Sequence, residues 1–278
     1  MTAIVQGHHY LSWIITAGGI VAVDTGWDLY RGLPDEESDF FALAQASELA
    51  RLPLTHILLT HDHIDHTADL SALLQRWPQA TVMAHANSSV AAVGETLADG
   101  DRLRVGDLTI VAYHTPGHSA QGDELSFWLP DERFLFCGDL AQPQGPSYGY
   151  TNGPSPVPFF VDGEAYQRSL ARLIALDPQQ MRTGHGNLLG PEQSRQWLRV
   201  TLATVQRIEA LAFELVARYP TRSDDWLIEA IYDQIADERA FGLRRANQRK
   251  RQRSFPERDT DYALFDVPGL RWAVEAAR

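Results

Sequence analysis

Hydrophobic and polar positions alternate in a way that divides the chain into a strand-rich first half and a helical last third. Tyr10 to Ile15 and Ile20 to Val23 read as two short strands joined by a turn at Ala17-Gly18-Gly19, with Asp24-Thr25-Gly26 closing the second. A helical pattern covers Phe40 to Leu52, and the apolar run His56 to Leu59 has the length of a buried strand. A helix is predicted from about Thr67 to Trp77, with Leu70, Leu73 and Leu74 on one face. Strand patterns follow at Thr81 to Ala84, Leu108 to Tyr113, Leu125 to Leu129 and Phe134 to Cys137. Residues 141–160 are dense in Pro, Gly, Tyr and Asn and carry no charged side chain, which predicts a long loop. Long loops inside compact domains are usually functional.

From Gly163 the period changes to that of a helix, with Tyr166, Leu170, Leu173 and Ile174 on one face. A longer amphipathic helix is expected from Pro191 to about Ala217, and another over Trp226 to Ile235. The 278 residues therefore suit a layered domain over 1–190 with a helical extension over 191–278.

Composition narrows the classes. Hydrophobic residues make up 44% and charged residues 22%, the balance of a globular protein with a sizeable core, which excludes disordered and fibrous chains. The apolar stretch Leu11 to Val23 is interrupted by Ser12, Thr16 and two glycines and is too short to span a bilayer. It also lacks a basic segment before it, so neither membrane span nor secretory signal is expected and the expected location is cytoplasmic. With 24 basic and 36 acidic side chains the formal charge is −12, a surface that repels phosphate backbones and anionic membranes. Nucleic acid is therefore an improbable partner. The exception is a basic run from Arg244 to Arg253, which could grip phosphate but better suits a solvated helix end or a salt-bridge partner for another subunit's acidic surface. The single cysteine, Cys137, excludes an internal disulfide and a cysteine-based metal cage.

The ten histidines are clustered. Thr60-His61-Asp62-His63-Ile64-Asp65-His66 follows an apolar strand and precedes a helix. Imidazoles and carboxylates so placed are costly to bury without partners, so they need either solvent or metal. His and Asp are zinc ligands, and a turn can aim residues i, i+2 and i+5 at one point. A solvated His-rich loop is the bland alternative, and the spacing argues against it.

At this motif the chain resembles the metallo-β-lactamase superfamily, whose HxHxDH pattern it matches. Further family motifs follow in order: His118 in His114-Thr115-Pro116-Gly117-His118, Asp139 in Cys137-Gly138-Asp139, and His185 in Thr183-Gly184-His185-Gly186. Asp24 matches the family's early acidic position, which supports the site without ligating metal. The resemblance covers roughly residues 10–190. It implies an α+β fold, a four-layered αββα sandwich followed by C-terminal helices. It also implies two divalent metal ions, zinc first with iron or manganese as alternatives. His61, His63 and His118 would hold one metal, Asp65, His66 and His185 the other, and Asp139 would bridge them. Two such ions roughly 3.5–4 Å apart can share a hydroxide and bring its pKa towards neutrality, so no serine or cysteine nucleophile is needed. Asp65 would also act catalytically by receiving a proton.

Tyr148 and Tyr150, in the uncharged loop, are candidate donors to a substrate carbonyl, an arrangement similar to that of lactonases in the superfamily. Arg182 could bind an anionic group or pair with a surface acid. Asp62 could support a ligand imidazole or face solvent, and His8-His9 are weaker candidates near the site. Asp139 argues against a true β-lactamase, because those enzymes generally lack the matching aspartate. Glyoxalase II-like thioesterases share the His-Thr-Pro-Gly-His turn but hold glutathione with basic C-terminal residues, and Lys250 is the only lysine here. The expected activity is hydrolysis of a small-molecule ester, lactone or thioester. The alternatives are a glyoxalase II-like thioesterase and a nuclease or RNA-processing phosphodiesterase of the same fold. The family usually has a strand or two before the position of Tyr10, and little chain precedes it here. Either the first strand is dispensed with or the sandwich edge is covered by the C-terminal helices or a second subunit, which favours a homodimer.

Overall fold

A computed structural model describes residues 3–7, 10–143, 155–239 and 262–278. They fall into two compact units, one drawn from 1–140 and 176–194, the other from 141–175 and 195–278.

The first unit is built on two six-stranded mixed sheets. One contains β1 (Ala3–Gln6), β2 (Ser12–Thr16), β3 (Gly19–Val23), β4 (Leu54–Leu58), β5 (Thr81–His85) and β6 (Glu95–Leu97), in that spatial order. The other contains β7 (Arg102–Val105), β8 (Leu108–His114), β9 (Leu125–Leu129), β10 (Phe134–Phe136), β11 (Gln180–Arg182) and β12 (Leu188–Leu189). Alternation along the strands sends successive side chains to opposite faces. In β2 and β3, Ile14, Val21 and Val23 join Phe127, Leu129 and Phe136 of the second sheet in the core between the sheets. Their neighbours Trp13, Ile20 and Ala22 face the other way and pack with Leu43, Leu70 and Leu73. Those last three belong to helices α1 (Asp39–Ala50) and α3 (Leu70–Arg76), which cover the outer face of the first sheet. Ser38 caps α1 by accepting a hydrogen bond from the Phe41 amide, and Arg51 ends it at φ 54°.

Strands β3 to β6 are parallel, so their crossovers deliver the segments after β3 and β4 to the same edge. In the second sheet β8 and β10 are both antiparallel to β9, and β11 is parallel to β10. The segments after β8, β10 and β11 therefore also emerge at one end. A bond from the Leu125 amide to the Thr60 carbonyl (2.8 Å) ties the end of the second sheet to the loop after β4. This topology brings motifs separated by more than a hundred residues to one place.

The second unit contains α4 (Gly163–Ala175), most of α5 (Pro191–Arg218), α6 (Asp224–Glu238), a π-helical turn at Tyr262–Asp266 and α7 (Val267–Ala277). Phe160 stacks on Tyr166, with ring centroids 5.6 Å apart, and Gly163 leaves room for the Trp272 ring, which a Cβ there would overlap. Leu227, Ile228, Ile231 and Ile235 form the buried face of α6. No helix among the described residues is long and apolar enough to cross a membrane.

Several expectations change. A strand, β1, does precede Tyr10 and pairs antiparallel with β2, so the first sheet does not begin at Tyr10-Leu11. Its four residues are too few to leave a pattern. The helix expected over 67–77 is two: α2 (Ile64–Thr67), which already carries Asp65 and His66, and α3. Strands β6, β7, β11 and β12 are two to four residues long and were not legible as apolar runs. Residues 144–154 of the uncharged loop and the basic run Arg244 to Arg253 lie outside the described residues.

Phe127 is fully buried between the sheets. Phe127→Ala is expected to lower the unfolding free energy by about 3–5 kcal/mol. Urea denaturation checks it, as a lower midpoint at unchanged slope.

Candidate metal centre

Each candidate ligand sits where a strand ends. Asp24 follows β3 with a left-handed backbone (φ 59°), a conformation that short polar side chains tolerate best, and Gly26 follows at φ 74°. The turn places the Asp24 carboxylate beneath the loop after β4. Its Oδ1 accepts from the Thr60 amide at 2.7 Å, and its Oδ2 accepts from the Thr60 hydroxyl and from His66 Nδ1, both at 2.9 Å. The Thr60 hydroxyl gives its one proton to Asp24, so towards His61 Nδ1, 3.0 Å away, it accepts. His61 and His66 are thereby both protonated on Nδ1, which leaves Nε2 as the nitrogen that faces the site.

Three imidazole nitrogens converge on one side. His61 Nε2 lies 3.0 Å from His63 Nδ1, which is 3.2 Å from His118 Nε2. A tetrahedral metal with bonds of about 2.0–2.1 Å to nitrogen separates its ligands by about 3.3 Å, so this spacing fits a metal site. On the other side, His185 Nε2 is 3.7 Å from Asp65 Oδ2, and His66 Nε2 is 4.0 Å from Asp65 Oδ1. Asp139 stands between the two groups, with Oδ2 2.8 Å from His185 Nε2 and 3.7 Å from His118 Nε2, and Oδ1 3.4 Å from His66 Nε2. The Nε2 of fully buried His66 makes no hydrogen bond of acceptable geometry, which a buried polar atom rarely does without a further ligand. Every position in the expected ligand set thus lies within these overlapping groups. The residues present fit a two-metal centre.

The electrostatics follow from burial and crowding. Burial first, then neighbouring His66, His63 and His118, hold His61 well below the ordinary imidazole range, which suits a neutral ligand. Burial also lowers His63. In His66 and His185 burial acts downward but is outweighed, chiefly by the Asp139 carboxylate, and both are raised. Asp139 is lowered despite its burial because His185 and His66 face it. Without metal, the second group holds itself together by proton sharing; a bound cation would take the protons' place.

The other candidates resolve differently. Arg182 is buried, and its guanidinium donates to Ser12 Oγ (2.9 Å), the Gly7 carbonyl (3.0 Å) and the Gly186 carbonyl. It staples the His185 turn to the N-terminal segment, and its burial rules out a surface ion pair. The Asp62 carboxylate accepts from Ser88 Oγ (2.6 Å) and Ser89 Oγ (2.8 Å), which ties the turn to the loop after β5. Cys137 is fully buried, as a small core residue should be. His85 and His114 stack on each other at 4.0 Å, away from the convergent nitrogens. Tyr148, Tyr150, His8 and His9 lie outside the described residues.

Sequence reading missed several residues. Tyr10 sets its ring edge-on to His185 and His66, at 5.0 and 5.7 Å, and forms a wall of the site. Burial, with Asp65 and Asp139 nearby, raises its pKa above the ordinary phenol value, so it stays neutral. Gly184 is required by space, since a Cβ there would lie 2.2 Å from Asp139 Oδ1 and 2.5 Å from His66. Its position between Thr183 and His185 was the available signal. Asp123 and Glu124 are buried at the start of β9, and two adjacent acids entering an apolar strand were the clue to them.

Two outcomes are expected from this geometry. Gly184→Ala should displace Asp139 or His66 and weaken metal retention at least roughly tenfold while leaving the far-ultraviolet dichroism intact, as losses from disturbed ligand support often do. Chelator competition reads this directly. Glu124 accepts from the Ser119 amide through Oε1, while Oε2 is buried with no hydrogen-bond partner, and burial pushes its pKa up to about 7. The unfolded chain gives up that proton near pH 4.5, so the folded metal-free protein binds more protons between these values. The stability contributed by Glu124 should therefore fall as pH rises from about 4.5 to 7, by about 3 kcal/mol, and level off above. Urea titrations of the metal-free protein should show that fall disappearing in Glu124→Gln.

Comparisons with known proteins identify the family. Residues 6–185 match the model of the metallo-beta-lactamase superfamily. The chain is 33% identical over 138 residues to a hydroxyacylglutathione hydrolase of Methylobacterium sp. (strain 4-46), covering 49% of this chain and 50% of that protein. It is 28% identical over 225 residues to the lactamase-like protein aptB of Emericella nidulans, covering 78% of this chain and 66% of that one. The alignment thus spans about half the length of the hydroxyacylglutathione hydrolase. The solved metallo-beta-lactamase from Pontibacter korlensis shares the fold, with a TM-score of 0.54 at 22% identity over 74% of this chain and 93% of that one. With the family model covering well over half of the chain, this protein belongs to the metallo-beta-lactamase superfamily.

Proposed function

We propose that this protein is a dinuclear metal-dependent hydrolase of a small-molecule ester, lactone or thioester. The observation that carries the reading is the placement of Asp139 between two clusters of ligand-type side chains. Relatives named hydroxyacylglutathione hydrolase make the thioester the first of the three to test.

His61, His63 and His118 would hold one metal, zinc first among the choices, and Asp65, His66 and His185 the second, with Asp139 between them. Two bound cations would acidify water at neutral pH and polarise a carbonyl oxygen. The chain's own residues prepare that chemistry. Asp24 and Thr60 fix which nitrogen of His66 and His61 is bare, so the ligands need no rearrangement. Asp139 supplies negative charge midway between positions that would each be positive. Asp65 takes the proton released as water adds to the acyl carbon and passes it to the leaving oxygen or sulfur. Tyr10 walls one side and stays neutral beside two carboxylates. Small acyl substrates suit this wall better than polyanions, which the charge of −12 repels.

Reconstituted protein should hold about two metals per chain by elemental analysis and turn over at least one member of a panel of thioesters, lactones and esters faster than a phosphodiester. Asp139→Asn keeps the shape and removes the charge; it should lose metal and lower turnover at least roughly a hundredfold. Metal content of one or less after reconstitution, or near-normal turnover in Asp139→Asn, would count against the dinuclear site. Phosphodiester cleavage with no acyl hydrolysis would replace the proposed substrate class.

A further inference from the structure

The three imidazoles that converge as the first metal group come from two different loops. His61 and His63 lie in the loop after β4, whereas His118 lies in the turn after β8. Their nitrogens are useful only if the loops keep register to a fraction of an ångström. A third segment supplies the tie. Asp123, only 1% exposed at the foot of β9, accepts through Oδ2 from the amide of Asp62, the residue between His61 and His63, at 2.8 Å. Through Oδ1 it accepts from the hydroxyl of Ser119, the residue after His118. One carboxylate thus grips both loops at positions adjacent to the ligands. Glu124 adds a second grip by accepting from the Ser119 amide, and Asp62 is itself anchored to Ser88 and Ser89. The other group is held by different means: Thr25 donates from its amide and hydroxyl to the His66 carbonyl, and Arg182 secures the turn after His185.

We propose that Asp123 is a positioning residue for the first metal group alone, a clamp that sets affinity at His61, His63 and His118 without touching the metal and without governing Asp65, His66 and His185. The inference rests on the metal-centre reading above. Because the clamp works by accepting hydrogen bonds in a fixed geometry, Asn at 123 preserves it: the amide oxygen accepts from Asp62, and the amide nitrogen donates to a Ser119 hydroxyl that has turned round. Ala at 123 abolishes both bonds.

The test isolates each half of the centre and measures zinc affinity, not turnover, by competition with a chromophoric chelator. A His185→Ala background retains the first group, and a His118→Ala background retains the second. In the first background, Asp123→Ala is expected to weaken zinc binding about 10–100-fold, the usual cost of losing support behind a ligand, and Asp123→Asn to stay within about threefold. In the second background both substitutions should stay within about threefold. Ser119→Ala, which removes one bond and fills no space, should give a smaller loss in the first background only, and it carries the same comparison if Asp123→Ala does not fold. Equal loss in both backgrounds would show general loosening and overturn the clamp. So would loss in Asp123→Asn as large as in Asp123→Ala, which would mean that charge and not geometry is at work. Unchanged affinity in the first background overturns it while leaving the metal centre standing. Failure of the unsubstituted protein to bind zinc or another divalent metal removes the centre and the clamp together.

Discussion

The buried carboxylate of Asp24 organises more of this molecule than any other single group. Held in a left-handed turn after β3, it reaches the next parallel strand's loop and fixes Thr60 by two bonds and His66 by one. Through the Thr60 hydroxyl its influence extends to His61, so one acid sets the proton positions of two imidazoles. This is possible only because β3 and β4 are parallel neighbours that end at the same edge. A buried acid without these donors would be costly, and the donors without the acid would be unsatisfied. Strand pairing and site geometry are therefore parts of one constraint.

The same logic repeats outward. The candidate ligands are backed by Asp24, Asp123, Glu124 and Arg182, and each of these is buried and bonded to backbone or hydroxyl groups. Loops carry most of the candidate ligands, and several are pinned at residues adjacent to one. Such pinning keeps like-charged and neutral imidazoles together before any cation arrives, at the cost of lowered pKa values for His61 and His63. Glycine contributes by absence of bulk: at Gly184 there is simply no room beside Asp139 and His66.

Much of the candidate site was legible in the sequence, because its residue types are poor core material and appear at strand ends in a fixed order. Histidines and aspartates clustered after an apolar strand cannot be explained by packing, so His61, His63, Asp65 and His66 stood out, whereas His118, Asp139 and His185 were found only through the resemblance to the family's motifs. Arg182 was misread, since a lone arginine looks the same on a surface as in a buried staple. Asp62 was ambiguous for the same reason: its partners, Ser88 and Ser89, lie more than twenty residues away.

What the sequence determined by itself was the alternation that makes two sheet faces, the helical period of the last third, and the His and Asp cluster after β4 that marks the candidate site. These depend on local order along the chain, the scale on which patterning acts. What only the tertiary structure decided was the company each side chain keeps. Strand direction across two sheets places His118 beside His63 and Asp139 beside His185, and no local pattern encodes that. The short strands β1, β6, β7, β11 and β12 likewise exist because neighbouring strands satisfy their backbone groups, not because their own few residues demand it. Tyr10 became a wall of the site, and Asp123 a tie between two loops, because the fold closed around them.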